Sequence, residues 1–321
     1  MALSDLAVYS EFAHRASTEV LAQQVELFNA ATEGAIVLTS ANVAGDFNES
    51  AYFGAISGLV RRRNAYGSGD VSEKNLAHIK DTEVKVAAGI PPVRIDPSMF
   101  AWIRQSPEVA GAALGQQIAK ATIADMLSVA IGSGVAALTA SDNNLDVTAV
   151  AGADKVSFIN LNKAKMKLGD RSGDVTAWVM HSVPMHQLYE QNLTNAEKLF
   201  TYGSINVVRD PFGKILVMTD ADQLIDTGNS VATILGLVQG GLRVSQNPDF
   251  FANEETRNGK ENIVRTYQAE WSYNVGVKGF SWDKTAGGAS PTDAALFTSA
   301  NWDKVATSNK DLAGVTLQVA V

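Results

Sequence analysis

The sequence predicts an α+β fold, and three stretches carry that prediction. They are an uninterrupted helical run from 107 to 138, an alternating strand from 262 to 277, and short strands and helices mixed between them. At 321 residues, 46% hydrophobic against 19% charged, the chain has enough apolar side chain for one large core or two modest ones. It has no cysteine, which removes disulfides, thiolate nucleophiles and cysteine metal sites. Burial must then hold it together, and the composition suits assembly in a reducing cytoplasm. A net charge of -8 argues against a broad face for gripping nucleic acid and limits any such contact to local patches.

Residues 3 to 30 read as an amphipathic helix, since Leu6, Phe12, Val20, Leu21, Val25 and Leu27 or Phe28 recur at steps of three and four. Gly34 stops it, and the short apolar strand in TEGAIVLTS follows. With no core in view to receive them, helix and strand read as an arm. The start has no basic n-region and no apolar core of signal-peptide length, and nowhere do about eighteen apolar residues run together. Neither secretion nor membrane spanning is expected, so the glycosylation-like triplets at Asn48 and Asn192 carry no weight.

The stretch LVRRRNAYGSGDVSEKN, residues 59 to 75, then sets three consecutive arginines ahead of a glycine-serine run. Beyond it Val84 and Val86 alternate with Glu83, Lys85 and Ala87, a strand pattern with too few apolar residues to bury both faces. Residues 57 to 90 therefore read as a hairpin-like excursion without a core of its own, and such a ribbon is marginal in isolation.

Asp96 and Pro97 open a short helix, and Ser106, Pro107 and Glu108 repeat that signal more strongly. No further proline interrupts up to Leu138, so one helix on the order of 45 Å long is expected at about 1.5 Å per residue. Gly111, Ala112, Ala113 and Gly115 keep its first half slim enough for another element to approach its backbone.

A helix is expected from 155 to 168 with Gly169 as its stop, a buried strand from 174 to 181, and a short helix capped by Ser182. Residues 205 to 219 read as two strands around a proline-containing turn, and VATILGLVQGGLRVSQ as two more around Gly240 and Gly241. The long strand is entered through RNGK at 257 to 260. Ile263, Tyr267, Ala269, Trp271, Tyr273, Val275 and Val277 take one face, and Thr266, Gln268, Glu270, Ser272 and Asn274 the other. The apolar face covers a core and suits a place along the long helix, while the polar face meets water or a neighbour.

Chemistry-bearing patterns are few. Of the four histidines, His181 and His186 stand five apart, which on a helix does not face one ligand position, and no HExxH occurs. Asp220, Asp222 and Asp226 lack the central glycine and closing glutamate of a calcium loop and read as a solvated turn. The runs GSGD at 67 and GSGV at 132 fit neither a dinucleotide nor a phosphate loop, and there is no G-x-S-x-G. No catalytic, cofactor-binding or metal-binding residue is assigned.

In order, the parts are a helical arm, an extended loop, a spine helix, an α+β middle and a long returning strand. Together with GAIVLTSANVAGDFNESAYFGAI, VTAWVMHSVPMHQLYEQNL, INVVRDPFGKILVMTDA, ETRNGKENIVRTYQAEWSYNVGVKGFSWD and SPTDAALFTSANWDK, they resemble the major capsid protein of tailed bacteriophages, with the Hong Kong ninety-seven type fold. The resemblance covers most of the chain and assigns no active site. It implies an N-terminal arm at 1–54, an extended loop at 55–92, a peripheral domain at 93–145 and 250–285, and a mainly axial domain at 146–249 and 286–321. It further implies hexamers and pentamers closed into an icosahedral shell around double-stranded DNA, in a virion assembled in the bacterial cytoplasm. Scaffolding, portal and decoration proteins are the further partners, no membrane is involved and DNA contact is weak. Since the numbering starts at Met1 with the arm, scaffolding is separate or absent.

A ribbon unable to bury itself becomes stable when laid across the next subunit. Arg61, Arg62, Arg63, Tyr66, Lys74, Lys80 and Lys85 are the expected intersubunit residues, with Gly67 and Gly69 permitting bending. A solvated basic turn and arginines facing packaged DNA are the other readings of the triplet. Some family members weld subunits through a lysine and an asparagine; Lys74, Lys80 and Lys85 have no matching partner motif here, so non-covalent clamping is expected. An encapsulin-like compartment, or an α+β enzyme built on Asp220 and Asp222, are the alternatives to a capsid.

Overall fold

The structure, a computed structural model, describes residues 2–53, 60–75, 78–95, 103, 105–191, 197–202, 205–209, 214–259, 261 and 263–321. The chain opens with α1 (Ala2–Ala31), β1 (Ile36–Ser40), β2 (Phe47–Phe53) and β3 (His78–Ile95), followed by the spine helix α2 (Pro107–Thr139). Next come β4 (Asn144–Asp146), α3 (Phe158–Lys165), β5 (Val175–Met180), α4 (Ser182–Gln191), β6 (Glu197–Tyr202), β7 (Ile205–Arg209), β8 (Ile215–Met218), β9 (Ile225–Asp226) and β10 (Val231–Val238). The last part holds β11 (Leu242–Gln246), β12 (Phe251–Arg257), β13 (Val264–Val277), β14 (Phe280–Trp282), α5 (Asp293–Leu296), β15 (Trp302–Lys304) and β16 (Gly314–Ala320). The helix expected from Asp96, the turn at 210–213 and Lys260 of the RNGK turn lie outside the described residues.

A helix apolar all round needs partners on every side, and α2 has them from Met126 onward, whereas Gln116, Lys120 and Ala124 keep one side of its first half exposed. One sheet runs β1-β11-β13-β3-β2, with β12 beside the first half of β13; the other runs β4-β16-β10-β5-β8-β7-β6, with β9 on β10. Met126, Ile131 and Leu138 of α2 share one core with Val84, Tyr273 and Val275 of the first sheet and Val179, Val217 and Leu235 of the second. Alternate residues on the second sheet, Trp178, Met180, Leu216 and Ile234, bury a separate core against Leu161 and Ala164 of α3 and Met185 and Leu188 of α4.

α1 is not an arm free of the core. Ala13 and Phe28 are buried, and Gly111 and Gly115 of α2 form the slot that receives it. A Cβ at Gly115 would come within 2.4 Å of the Ala13 carbonyl oxygen, so only glycine admits this approach. β1 then joins the first sheet in parallel with β11, Ile36 opposite Leu242.

The spine begins where proline and glutamate predict, yet the Ser106 hydroxyl makes no capping bond; its backbone carbonyl accepts from Ala110 N–H instead. At α3 the cap does form, with Ser157 accepting from Asn160 N–H. Ser182 lies inside α4 rather than ahead of it, and His181 takes the capping role, its Nδ1 accepting from Val183 N–H at 3.3 Å.

β10 and β11 are not paired. β10 lies between β16 and β5, buried on both faces with no edge left, so the chain leaves it for the other sheet at 239–241. Gly240 takes φ +66° there, and a Cβ at Gly241 would stand 2.7 Å from the Ala313 carbonyl oxygen. The pair of glycines marks a change of sheet, not a hairpin.

β13 alternates as expected up to Trp271, and from Ser272 onward both faces are closed. Its polar face is covered by its own network: Asn247 Nδ2 donates to Ser272 Oγ at 2.9 Å, Asn274 Nδ2 donates to Asn247 Oδ1 at 3.1 Å, and Ser272 N–H donates to Asp249 at 2.9 Å. The buried amide donors of Asn247 and Asn274 are satisfied there, Asn274 Nδ2 also reaching Ser245 Oγ at 3.2 Å.

Candidate assembly surface

β3 is the base from which the extended segment departs. Ten of its residues pair with β13, Val84 opposite Val275, and its first half pairs with β2, Phe47 opposite Val84. Val84 and Val86 are buried, because the apolar partners missing from their own segment come from α2 and β13. The ribbon read over 57 to 90 is thus interior strand over its last part, and the segment without regular structure is 60 to 75.

Residues 60 to 75 are exposed throughout. Tyr66 is 99% and Val60 89% exposed, values that an aromatic and a β-branched residue rarely reach in a lone folded domain. Within it a turn forms, in which Asn64 Oδ1 accepts from Tyr66 N–H at 3.0 Å and the Asn64 carbonyl accepts from Gly67 N–H at 3.3 Å. Neither Gly67 nor Gly69 adopts a positive φ, so the present conformation does not itself require glycine.

The candidate contact residues fall into two groups. Arg61, Arg62, Arg63, Tyr66 and Lys74 stand together on the segment, and Lys80 is exposed on β3 opposite Ala51 of β2. Lys85 is occupied within its own chain: Nζ donates to the Val43 carbonyl at 3.2 Å. The foot of the segment is fixed by a cluster that composition could not reveal. Arg243 of β11 reaches Asp81 Oδ2 at 2.5 Å and Glu83 Oε1 at 2.9 Å, and Asn48 of β2 donates to Glu83 at 2.9 Å. Asp81 is buried, so the pair operates in a lower dielectric than a surface bridge and ties β3 to β11 at the foot of the segment. The signal for it is the alternation of acidic residues in IKDTEV, but the arginine lies 162 residues away.

The Asp220 region has none of the convergence of a catalytic site. His181 Nε2 stands 3.6 Å from Asp220 Oδ1, whose side chain is 58% exposed. Asp226 folds a local turn, accepting from Gly228 N–H at 3.0 Å and from Asn229 Nδ2 at 2.6 Å, and those bonds from Asn229 hold its carboxyl below the ordinary range. Among the described residues no three histidine or acidic side chains converge to hold a metal. The groups pushed furthest above their ordinary values lie in the other sheet and on α1. Burial pushes Glu254 up to about 7, and burial with the nearby Glu254 carboxylate pushes Tyr9 and Tyr267 up to about 12.

The family model for major capsid protein 13-like proteins (Gp13-like) matches residues 5–316. The chain belongs to that family. It is a phage major capsid protein, a structural protein of the virion. No curated protein matches it. Among solved structures, the capsid of Ralstonia phage GP4 is 12% identical, with a TM-score of 0.52 over 89% of this chain and 87% of that one, which shows a shared fold. The capsid asymmetric unit of cyanophage Pam1 has a TM-score of 0.48 at 12% identity over 89% and 88% of the two chains. The holo-SrpI encapsulin complex of Synechococcus elongatus has a TM-score of 0.48 at 10% identity over 88% and 85%. The two sheets around a spine helix are therefore the tailed-phage capsid fold, and the exposed segment belongs to a protein that self-associates.

Proposed function

We propose that copies of this chain assemble as hexamers and pentamers into the icosahedral shell of a tailed-phage head, enclosing double-stranded DNA, with residues 60–75 of each copy laid on a neighbour. The observation that carries the reading is the exposure of that whole segment, Tyr66 above all, on a base pinned by Arg243. Arg61, Arg62, Arg63, Tyr66, Lys74 and Lys80 are its contacts, held non-covalently, while Lys85 serves the chain itself. The first sheet with α2 forms the peripheral part and the second sheet the axial part, one boundary being the change of sheet at 239–241. Assembly takes place in the host cytoplasm, with scaffolding, portal and decoration proteins as partners and only weak contact to DNA, in keeping with the net charge of -8.

Particles purified from infected cells should carry nuclease-resistant double-stranded DNA. Closed particles holding protein cargo and no nucleic acid would instead place the chain with cargo compartments.

A further inference from the structure

The sequence holds one Asn-Gly pair, Asn258–Gly259, and no Asp-Gly pair. It stands in residues 258–263, which join β12 to β13 beyond the last rung of their ladder, Arg257 opposite Val264. Both residues are exposed. Among the described residues neither the Asn258 side chain nor the Gly259 N–H takes part in a hydrogen bond. Gly259 holds φ at +94°, and a Cβ built on it would meet nothing within 4 Å. The pair is open to solvent, and no bond holds its backbone nitrogen in place.

That arrangement has a chemical consequence. Attack of the Gly259 nitrogen on Asn258 Cγ closes a succinimide ring: the N–Cγ bond forms, the N–H proton passes to solvent, and the side-chain amide leaves as ammonia. Water then opens the ring at either carbonyl. One opening gives aspartate; the other gives isoaspartate, with the main chain rerouted through the side-chain carbon. Asparagine and water become acid and ammonia, and no enzyme, oxidant or cofactor is consumed. Glycine, lacking a Cβ, leaves the approach open and lets the peptide rotate into it. Arg257 and Lys260 flank the pair in sequence, and nearby cations favour the deprotonated nitrogen that attacks.

Other exposed asparagines are held. Asn229, before Ser230, donates Nδ2 to Asp226 Oδ2 at 2.6 Å and its N–H to Asp226 Oδ1 at 3.2 Å. Asn64, before Ala65, accepts from Tyr66 N–H at 3.0 Å. Both are followed by residues with a Cβ. What singles out Asn258 is exposure joined to an unbonded side chain and a following glycine.

We propose that Asn258 is a self-modification site, converting in the folded chain to aspartate and isoaspartate by ring closure with Gly259. Each conversion adds one negative charge to a chain of net charge -8 and sets it at the turn between β12 and β13. Because the turn lies beyond the ladder and outside both cores, the modified copy keeps its fold. The charge on this turn therefore records the age of the protein.

The test is to store the purified full chain in warm, mildly alkaline buffer, digest it with chymotrypsin, and compare it with a zero-time sample by mass spectrometry. The peptide holding Asn258 should gain the mass of an amide turned to acid and accept a methyl group from an isoaspartyl methyltransferase. Asn229 and Asn64 should lag severalfold behind. Gly259→Ala, whose methyl group hinders the closing ring, should slow the gain severalfold. Alanine is strained at φ +94°, so Asn258→Gln serves as the second variant. It should keep the wild-type urea midpoint and lose the modification. No gain at Asn258, a gain no faster than at Asn229, or aspartate without isoaspartate would overturn the proposal.

Discussion

The Tyr273 hydroxyl donates a hydrogen bond to Asp125 Oδ2 at 2.7 Å and so ties the long strand β13 to the spine helix α2. Burial pushes the Asp125 carboxyl above its ordinary range, the bond from Tyr273 pulls it back, and the nearby Asp293 carboxylate pushes it up again. Tyr273→Phe deletes the donor and leaves the carboxylate beside Asp293 to water, because Asp125 is exposed on α2. A loss of about 0.5–1.5 kcal/mol at neutral pH, that of one hydrogen bond, is expected in urea unfolding. Without the bond the folded-state carboxyl titrates higher, so the deficit should narrow as pH falls.

Glu254, on β12 opposite Tyr267, supplies a second titration. Burial raises its folded value from 4.5 to about 7. Because the folded state holds the proton more tightly than the unfolded chain, the stability it adds is fully present below about pH 4.5. It is lost as pH climbs to about 7. Glu254→Gln keeps the neutral form at all pH. The variant should match wild type near pH 4.5 and exceed it at pH 8, read from denaturation midpoints across that range. Parallel profiles would show that the carboxyl is solvated.

At Gly115 two effects oppose each other. Alanine in a helix interior gains up to about 1 kcal/mol over glycine. Here, however, its Cβ would press on the Ala13 backbone oxygen at 2.4 Å, and backbone cannot rotate away as a side chain can. Overpacking of about 1–3 kcal/mol wins. Gly115→Ala is expected to lower Tm and to release α1, seen as faster proteolysis within residues 2–31.

Trp271 fills the space between Phe250 and the spine, and Trp271→Ala should cost about 3–5 kcal/mol by leaving a cavity there. Against the stability of an ordinary domain that is enough to remove most soluble subunit, measured as the soluble fraction after expression.

Long periodic elements were legible in the sequence because their own residues determine them. Pro107 and Glu108 start the spine, and the alternation from Tyr267 to Trp271 announces β13. Gly111 and Gly115 signalled a close approach, and α1 fills it. What could not be read depended on residues distant in the chain. Val84 and Val86 lacked apolar companions locally and find them in α2 and β13; β10 and β11 part because β16 and β5 already occupy the edges of β10. Ser182 lost its expected cap to the neighbouring His181 ring, a competition that spacing does not resolve. Of the assembly surface, the exposed arginines and Tyr66 were legible as an unburied excess, whereas Lys85 and Arg243 owe their roles to groups on other strands.

The most direct test is to express the full chain and a chain lacking residues 64–72 side by side and compare them by sedimentation and negative-stain electron microscopy. Among the described residues, 64–72 are exposed and pair with neither β2 nor β3, so both chains should show the same circular dichroism and Tm. The full chain should form closed shells or capsomer rings and the shortened chain only small soluble species. Shells of normal size and yield from the shortened chain would contradict the account.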